Sequence, residues 1–120
     1  METPKIIESE YRFCLLLWEH EPINSTQLAA LCKEKLGWSK ATTYTVIRRL
    51  AERGVLKNEN ATVTSLVTKQ EVQRSRLTEM VDETFEGSMP AFIAAFSHSK
   101  RLSKSEVDQL REMIDNYKEE

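Results

Sequence analysis

The sequence is poor in the residues that form turns, bridges and metal sites. Three glycines and three prolines in 120 residues leave little room for a fold built from many strands and tight turns. Cys14 and Cys32 form no Cys-x-x-Cys pair and lie in apolar helical patterns, so we interpret them as buried reduced thiols. His20 and His98 have no neighbours at ligand spacing, so no metal site is expected.

Long apolar runs and catalytic motifs are also missing. No apolar stretch approaches the roughly 18 residues needed to cross a bilayer, and the first residues lack the basic and apolar regions of a secretory signal. We therefore expect a cytoplasmic protein without membrane insertion. The sequence has no glycine-rich phosphate loop and no plausible nucleophile–base pair. An enzyme and a bound cofactor are therefore not expected.

Basic and acidic residues nearly balance over the whole sequence, but basic charge is concentrated in one segment. The formal net charge is −2, whereas residues 38–57 carry five basic side chains and one acidic one, a net charge of +4. An acidic protein with one basic segment is suited to local contact with a polyanion.

Apolar periodicity predicts three helices in the first half. The first runs from about Ser9 to His20, and its apolar stripe consists of Tyr11, Cys14, Leu15 and Trp18. The second follows an Asn24 cap and ends at Gly37. The third follows a Ser39 cap, runs from Lys40 to Arg53, and turns inward Thr43, Val46, Ile47 and Leu50. Two short helices joined by a tight turn predict a helix-turn-helix.

The remaining pattern predicts a small hairpin followed by helices. Residues 55–57 and 62–68 are β-prone and flank a turn, so we interpret them as a two-stranded wing. Helices are expected over 69–85, over 89–96 and after Ser103. The predicted fold is mostly α with a small β-wing. It comprises an N-terminal winged helix-turn-helix (residues 1–68) and a C-terminal helical dimerisation arm (residues 69–120).

Two sets of residues are candidates for binding. The polar and basic face of the third helix predicts double-stranded DNA contact through Ser39, Lys40, Thr42, Tyr44, Thr45, Arg48 and Arg49. Lysine and arginine are expected on phosphates, with Arg49 as first choice, whereas Thr42, Tyr44 and Thr45 are expected near base edges. The arm is too apolar for three separate helices, which predicts a homodimer through Leu77, Val81, Phe92, Ile93, Phe96, Val107, Leu110 and Ile114.

These residues resemble the penicillinase-repressor family, the BlaI/MecI/CopY group, over nearly the whole chain. The matching features in the first half are Glu10 with Trp18, Ile23-Asn24-Ser25, and Trp38-Ser39-x-x-Thr42-x-x-Thr45-x-x-x-Arg49-Leu50-x-x-x-Gly54-x-Leu56. In the second half they are Phe85-x-Gly87-Ser88, Leu102-Ser103, Glu106 and Leu110.

The resemblance implies a homodimeric repressor of β-lactamase, antibiotic-resistance or related genes on a pseudo-palindromic operator. It also implies inactivation by a protease linked to a membrane sensor, at a bond that corresponds to Ala95-Phe96. The best-known members have Asn-Phe at this bond. The copper-responsive branch ends in cysteine pairs that are missing here, so copper sensing is not expected. Thr62-Val63-Thr64-Ser65 replaces the usual Gly-Arg of the wing, which predicts a weakened wing contact with phosphate.

Two alternatives remain open at this stage. A winged helix can serve protein–protein contact, because a fold does not determine a function. A ligand-sensing repressor would instead hold a small molecule between the arm helices. Loss of DNA binding after neutralisation of Arg49 would argue against the first, and a ligand-dependent melting shift would favour the second.

Overall fold

The computed structural model describes residues 2–118, which form six helices and a small sheet. In chain order the elements are α1 (Glu8–His20), β1 (Ile23–Asn24), α2 (Ser25–Leu36), α3 (Lys40–Glu52), β2 (Leu56–Glu59), β3 (Thr62–Ser65), α4 (Lys69–Phe85), α5 (Met89–Ser99) and α6 (Lys104–Asp115). The prediction of a mostly helical fold with a β-wing is confirmed.

The buried face of α1 differs from the predicted stripe. The side chains that α1 buries are those of Glu10, Phe13, Cys14 and Leu17. Tyr11 and Trp18 are half-buried on one flank, where the indole Nε1 of Trp18 donates to the Val67 carbonyl at 3.0 Å. The predicted stripe is therefore right at Cys14 but wrong at its centre, because Phe13 and Leu17 occupy the core and Tyr11 and Trp18 pack at its edge.

The predicted capping residues set both ends of α2 and the start of α3. The Asn24 side chain accepts from the Thr26 N–H at 2.8 Å, and Gly37 ends α2 in the left-handed conformation at φ 72°. Ser39 Oγ accepts from the Thr42 N–H at 3.1 Å and so begins α3. The inward face predicted for α3 is confirmed, since all four of its residues are buried.

The sheet has one strand more than predicted. Its order is β1-β3-β2, and both pairings are antiparallel. The two-residue turn between β2 and β3 consists of Asn60 and Ala61, with φ of 52° and 62°, the mirror-image turn that suits a two-residue hairpin. β1 pairs only Ile23 and Asn24 with β3, and so short a strand leaves no alternation in the sequence.

The chain divides into two compact units, one ending at Glu79 and one beginning at Met80. The first turns of α4 therefore lie with the N-terminal unit rather than after a boundary at residue 68. Val72 is fully buried in the core of that unit, and Arg76 pairs with Glu8 of α1 at 2.5 Å. Sequence periodicity places the start of a helix but does not reveal which core the helix joins.

The second unit contains the end of α4, α5 and α6. Ser88 caps α5, and Ser103 with Glu106 forms a reciprocal capping box at the start of α6. Large apolar side chains stay exposed on these helices in a single chain, among them Met89, Ile93, Phe96, Leu110, Met113 and Ile114.

Candidate nucleic-acid interface

The outer face of α3 is polar, basic and divided into three strips. Since successive helical residues are 100° apart, the strip opposite the buried side consists of Ala41, Thr45 and Arg48, followed in the last turn by the acidic Glu52. Thr42 and Arg49 lie on one flank of this strip, and Lys40 and Tyr44 lie on the other. We call the seven of these residues that lie between Lys40 and Arg49 the outer face of α3.

The flank with Thr42 and Arg49 faces α1. Together with Thr45, these residues line a shallow cleft closed by Ser9 and Trp38. Phe13 stacks on Trp38 with ring centroids 5.9 Å apart, which joins this side of the turn to the core. Arg49 is exposed and forms no ion pair among the residues that the structure describes.

The flank with Lys40 and Tyr44 faces α2. The Tyr44 ring is half-buried against the core, and the Lys40 ammonium lies 5.8 Å from its centroid. The Tyr44 hydroxyl lies 3.5 Å from Thr26 Oγ1 in the first turn of α2. Tyr44 is therefore held between the two helices instead of projecting freely from α3.

Ser39 has a local structural role at the start of α3. Besides the bond from the Thr42 N–H, its Oγ lies 2.9 Å from Thr42 Oγ1. The hydroxyl is thus already engaged in capping, although the residue remains exposed. Its contact with DNA stays a prediction.

Arg53 does not contribute to the exposed basic charge in the way that the sequence suggests. Its guanidinium donates to both carboxylate oxygens of Glu10, at 2.7 and 3.0 Å, and to the Lys5 carbonyl at 2.6 Å. Burial opposes ionisation of Glu10, but hydrogen bonds from Arg53 and the Ile7 N–H outweigh it and lower the pKa of this carboxyl. The hydrogen bond with Glu10 in turn raises the pKa of Arg53.

The wing adds little positive charge. Its basic side chain, Lys57, has its Nζ 3.8 Å from a carboxylate oxygen of Glu59 on the same strand. β3 carries threonines at Thr62 and Thr64 and no basic residue. Arg53 and Lys57 both have acidic partners, so the basic side chains of residues 38–57 that take part in no described ion pair are those of Lys40, Arg48 and Arg49.

Two residues of α2 that sequence reasoning missed border the same surface. Thr26 and Lys33 lie beside Lys40 in a cleft between α2 and α3. Their spacing with Ala30, at i, i+4 and i+7, is the signal that could have revealed a common outer face of α2.

The arm residues predicted for dimerisation have different exposures in the single chain. Leu77, Ile93, Phe96, Leu110 and Ile114 are exposed, with Ile114 at 72%. Phe92 and Val107 are half-buried, whereas Val81 is only 4% exposed. Ala95 and Phe96 both lie inside α5, so the bond between them is part of a hydrogen-bonded helix.

Both cysteine thiols are buried in the part of the chain that the structure describes. Burial raises the pKa of Cys14 to about 12 and also raises that of Cys32, so neither thiol is a ready thiolate. Within residues 2–118, no three His, Cys, Asp or Glu side chains converge as a metal site requires. In the same range, no helix has the length and apolar character of a membrane span.

Taken together, the helix-turn-helix and the adjoining hairpin are those of a winged-helix DNA-binding domain. The model of the penicillinase repressor family matches residues 6–116, and the chain belongs to this family. It is a family of repressors rather than of enzymes. Curated relatives include the penicillinase repressor of Bacillus licheniformis, 22% identical over 98% of this chain and 94% of the relative. The methicillin resistance regulatory protein MecI of Staphylococcus aureus is 20% identical over 94% and 95% of the two chains.

Two solved structures share the fold. One is the solution structure of the Bacillus licheniformis BlaI monomeric form in complex with the blaP half-operator, with a TM-score of 0.52 and 24% identity. The other is the DNA-binding domain of the repressor BlaI, with a TM-score of 0.51 and 25% identity. Each covers 59% of this chain and 93% of its own.

Proposed function

We propose that this protein is a repressor that binds a pseudo-palindromic operator as a homodimer, with α3 in the major groove. The observation that carries the proposal is the outer face of α3, where three cations that form no ion pair with residues 2–118 surround short polar side chains. Such a face can approach base edges closely while its flanks meet the phosphate backbone.

The strips of α3 suggest different roles for the central strip and its two flanks in DNA binding. Thr45 and Arg48 lie on the central strip, from which a hydroxyl, a methyl group or a guanidinium can meet base edges. Arg49 and Lys40 lie on opposite flanks and are suited to phosphates of the two strands. Arg48 thereby becomes a candidate for base recognition as well as for phosphate contact.

Dimerisation is proposed from the apolar surface of the second unit. Side chains such as Phe96, Leu110 and Ile114 would be covered by a second copy, at a gain of roughly 25 cal/mol per Å² of apolar surface buried. A two-fold dimer presents two recognition helices, so operator symmetry follows from protein symmetry.

Regulation of β-lactamase, antibiotic-resistance or related genes is proposed from the names of the relatives, a penicillinase repressor and a methicillin resistance regulatory protein. Inactivation by a protease linked to a membrane sensor stays a prediction. Because Ala95-Phe96 lies within α5, cleavage there would require this helix to unwind locally first.

The DNA-binding proposal predicts a specific effect of Arg49→Ala. We expect weaker binding to all duplexes and a salt slope about one unit shallower, since one phosphate contact is lost. The measurement is fluorescence anisotropy with the protein's own promoter DNA at several salt concentrations, after footprinting has located the protected site. Arg74→Ala on α4 is the control, because it removes an exposed arginine away from α3. No salt-dependent binding by the unaltered protein would favour the protein-interaction alternative instead.

The dimer proposal predicts that Ile114→Glu dissociates the protein into folded monomers. A carboxylate in an apolar interface lacks compensating partners, so the dimer dissociation constant should rise at least about tenfold. Sedimentation and circular dichroism together report assembly and folding. Gln109→Glu introduces the same side chain at a polar position of α6 and should leave the dimer intact. Equal assembly of both variants would exclude α6 from the interface.

A further inference from the structure

We propose that the cleft between α2 and α3 is a phosphate-binding notch that holds one backbone phosphate of bound DNA. The notch consists of the ammonium groups of Lys33 and Lys40 and the hydroxyl of Thr26, with the Tyr44 hydroxyl at its edge, 3.5 Å from Thr26 Oγ1. The proposal rests on the proposed function, because the phosphate belongs to the duplex that α3 engages. It adds a site on α2 to the interface and gives Tyr44 a positioning role.

The shape of the cleft suits a phosphate group. Ala29 and Ala30 lie between Thr26 and Lys33 and line the cleft together with Lys40. Their methyl side chains leave space between the two lysines, whereas longer side chains at these positions would fill it. A tetrahedral anion can therefore approach the backbone of α2 closely.

The charges of the notch are available to a ligand. Neither Lys33 nor Lys40 takes part in any of the four ion pairs found among residues 2–118, and both side chains are exposed. Two ammonium groups on facing helices repel each other, and an anion between them relieves this repulsion. A DNA phosphate supplies the anion without another protein group.

The hydroxyl pair is arranged to receive an oxygen atom. Tyr44 Oη and Thr26 Oγ1 are 3.5 Å apart, beyond the 2.5–3.0 Å range of a good O–H···O hydrogen bond. Both hydroxyls therefore keep donor capacity, and both are at the exposed surface of α2 and α3. The Lys40 ammonium over the tyrosine ring keeps the positive charge on the same side.

The position of the notch explains what it would contribute to binding. It lies on the α2 flank of α3, opposite Arg49 on the α1 flank. A phosphate on each side would hold the central strip with Thr45 and Arg48 in a single register in the groove. Tyr44 then orients the helix on the backbone instead of reading a base edge.

The first experiment compares Lys33→Ala with Lys35→Ala by fluorescence anisotropy on a labelled duplex about two helical turns long. Both lysines are exposed on α2, but Lys35 does not line the cleft. Lys33→Ala should bind about fivefold to tenfold more weakly at 0.1 M salt, with a salt slope about 0.9 units shallower. Lys35→Ala should retain the affinity and slope of the unaltered protein. Equal affinities and salt slopes of the two variants would contradict the notch. If the unaltered protein itself did not bind the duplex, the proposed function would be contradicted instead.

The second experiment tests whether Tyr44 positions α3 on the DNA backbone or recognises a base edge. Tyr44→Phe and Thr26→Val each remove one hydroxyl with little change in shape. Selection of bound sequences from random duplexes should return the same preferred site as the unaltered protein, with affinity lower by a similar factor on every sequence. A changed base preference in Tyr44→Phe would assign this residue to base recognition and contradict the proposal.

A third experiment distinguishes a phosphate of duplex DNA from a free phosphate ion as the ligand of the notch. Chloride is replaced by inorganic phosphate at constant ionic strength, and thermal unfolding of the unaltered protein and of Lys33→Ala is followed. We expect no difference between the two proteins in their response, because a free phosphate ion lacks the further contacts with α3 by which a duplex holds its phosphate in the notch. Selective stabilisation of the unaltered protein would show a small-anion site and overturn the assignment to duplex DNA.

Discussion

At the scale of single residues, Glu10 and Arg53 form an ion pair that stabilises the fold. The charge of Arg53 therefore differs in role from the charges on the outer face of α3, which form no ion pair with residues 2–118. The Glu10 side chain is 2% exposed and that of Arg53 is 35% exposed, and the guanidinium binds both carboxylate oxygens. The pair joins α1 to the residue that caps the end of α3. Removing Arg53 would leave the Glu10 carboxylate buried without its partner, whereas removing Glu10 would leave Arg53 partly exposed to solvent.

We predict that Glu10→Gln lowers the free energy of unfolding by about 1–3 kcal/mol at neutral pH, the partial exposure of Arg53 keeping the loss below that of a fully enclosed pair. Because the folded-state pKa of Glu10 is lowered, its stabilisation is present above the unfolded-state pKa, near 4.3, and is lost as the pH falls through the folded-state value. The difference between variant and unaltered protein should therefore shrink below about pH 4.5.

Urea unfolding at a series of pH values measures this difference. Glu34→Gln removes an exposed carboxylate on α2 and should change stability by less than about 0.5 kcal/mol. A Glu10→Gln protein as stable as the unaltered one at neutral pH would contradict the structural role of the pair.

At the scale of elements, the wing hairpin is under local backbone strain. Ala61 occupies the left-handed region at φ 62°, where a Cβ atom is unfavourable, and its carbonyl accepts from the Ser25 N–H at 2.8 Å. Asn60 has a similar φ of 52°, but asparagine tolerates this conformation better. The hairpin therefore forms despite one of its two turn residues.

We predict that Ala61→Gly raises the free energy of unfolding by about 0.5–1 kcal/mol, since glycine adopts positive φ without steric penalty. Thermal and urea unfolding measure the gain. Asn60→Gly at the neighbouring turn position should give a smaller gain and serves as the comparison. A loss of stability in Ala61→Gly would mean that flexibility in the unfolded chain outweighs the relieved strain.

At the scale of the whole molecule, α4 joins two units that serve different parts of the proposed function. Its first turns pack on α1, where Gln73 donates to the Tyr11 hydroxyl at 3.2 Å and the Arg76 guanidinium lies 4.2 Å from the Tyr11 ring centroid. Its last turn belongs to the unit that exposes apolar side chains. A single helix thus contributes to the winged-helix core and to the proposed dimerisation arm.

We predict that a chain shortened after residue 79 folds as a monomer and is about 2–3 kcal/mol more stable than one shortened after residue 68. The longer chain retains the burial of Val72 and the contacts of Arg76 with α1. Urea unfolding and sedimentation of both chains measure stability and assembly. Equal stability would mean that α4 contributes little to the N-terminal core, and a dimer of either chain would mean that the arm is not the main dimerisation element.

The sequence predicted the order and limits of most elements because their signals are local. Capping side chains such as Ser39 and glycines such as Gly37 act within one turn of the chain, and the inward face of α3 follows from its own periodicity. The buried face of α1 was predicted only in part and the strand β1 was not predicted, since both depend on partners distant in sequence.

By itself the sequence determined the winged-helix fold, the family resemblance and the basic outer face of α3, because periodicity, capping and charge are properties of neighbouring residues. Only the tertiary structure decided which charges remain available for a partner. Arg53 is paired with Glu10 across 43 positions of sequence, whereas Lys33 and Lys40, from separate helices, line one cleft. The physical reason is that a charge acquires its role from its solvation and its neighbours in space, and folding brings both together from distant parts of the chain.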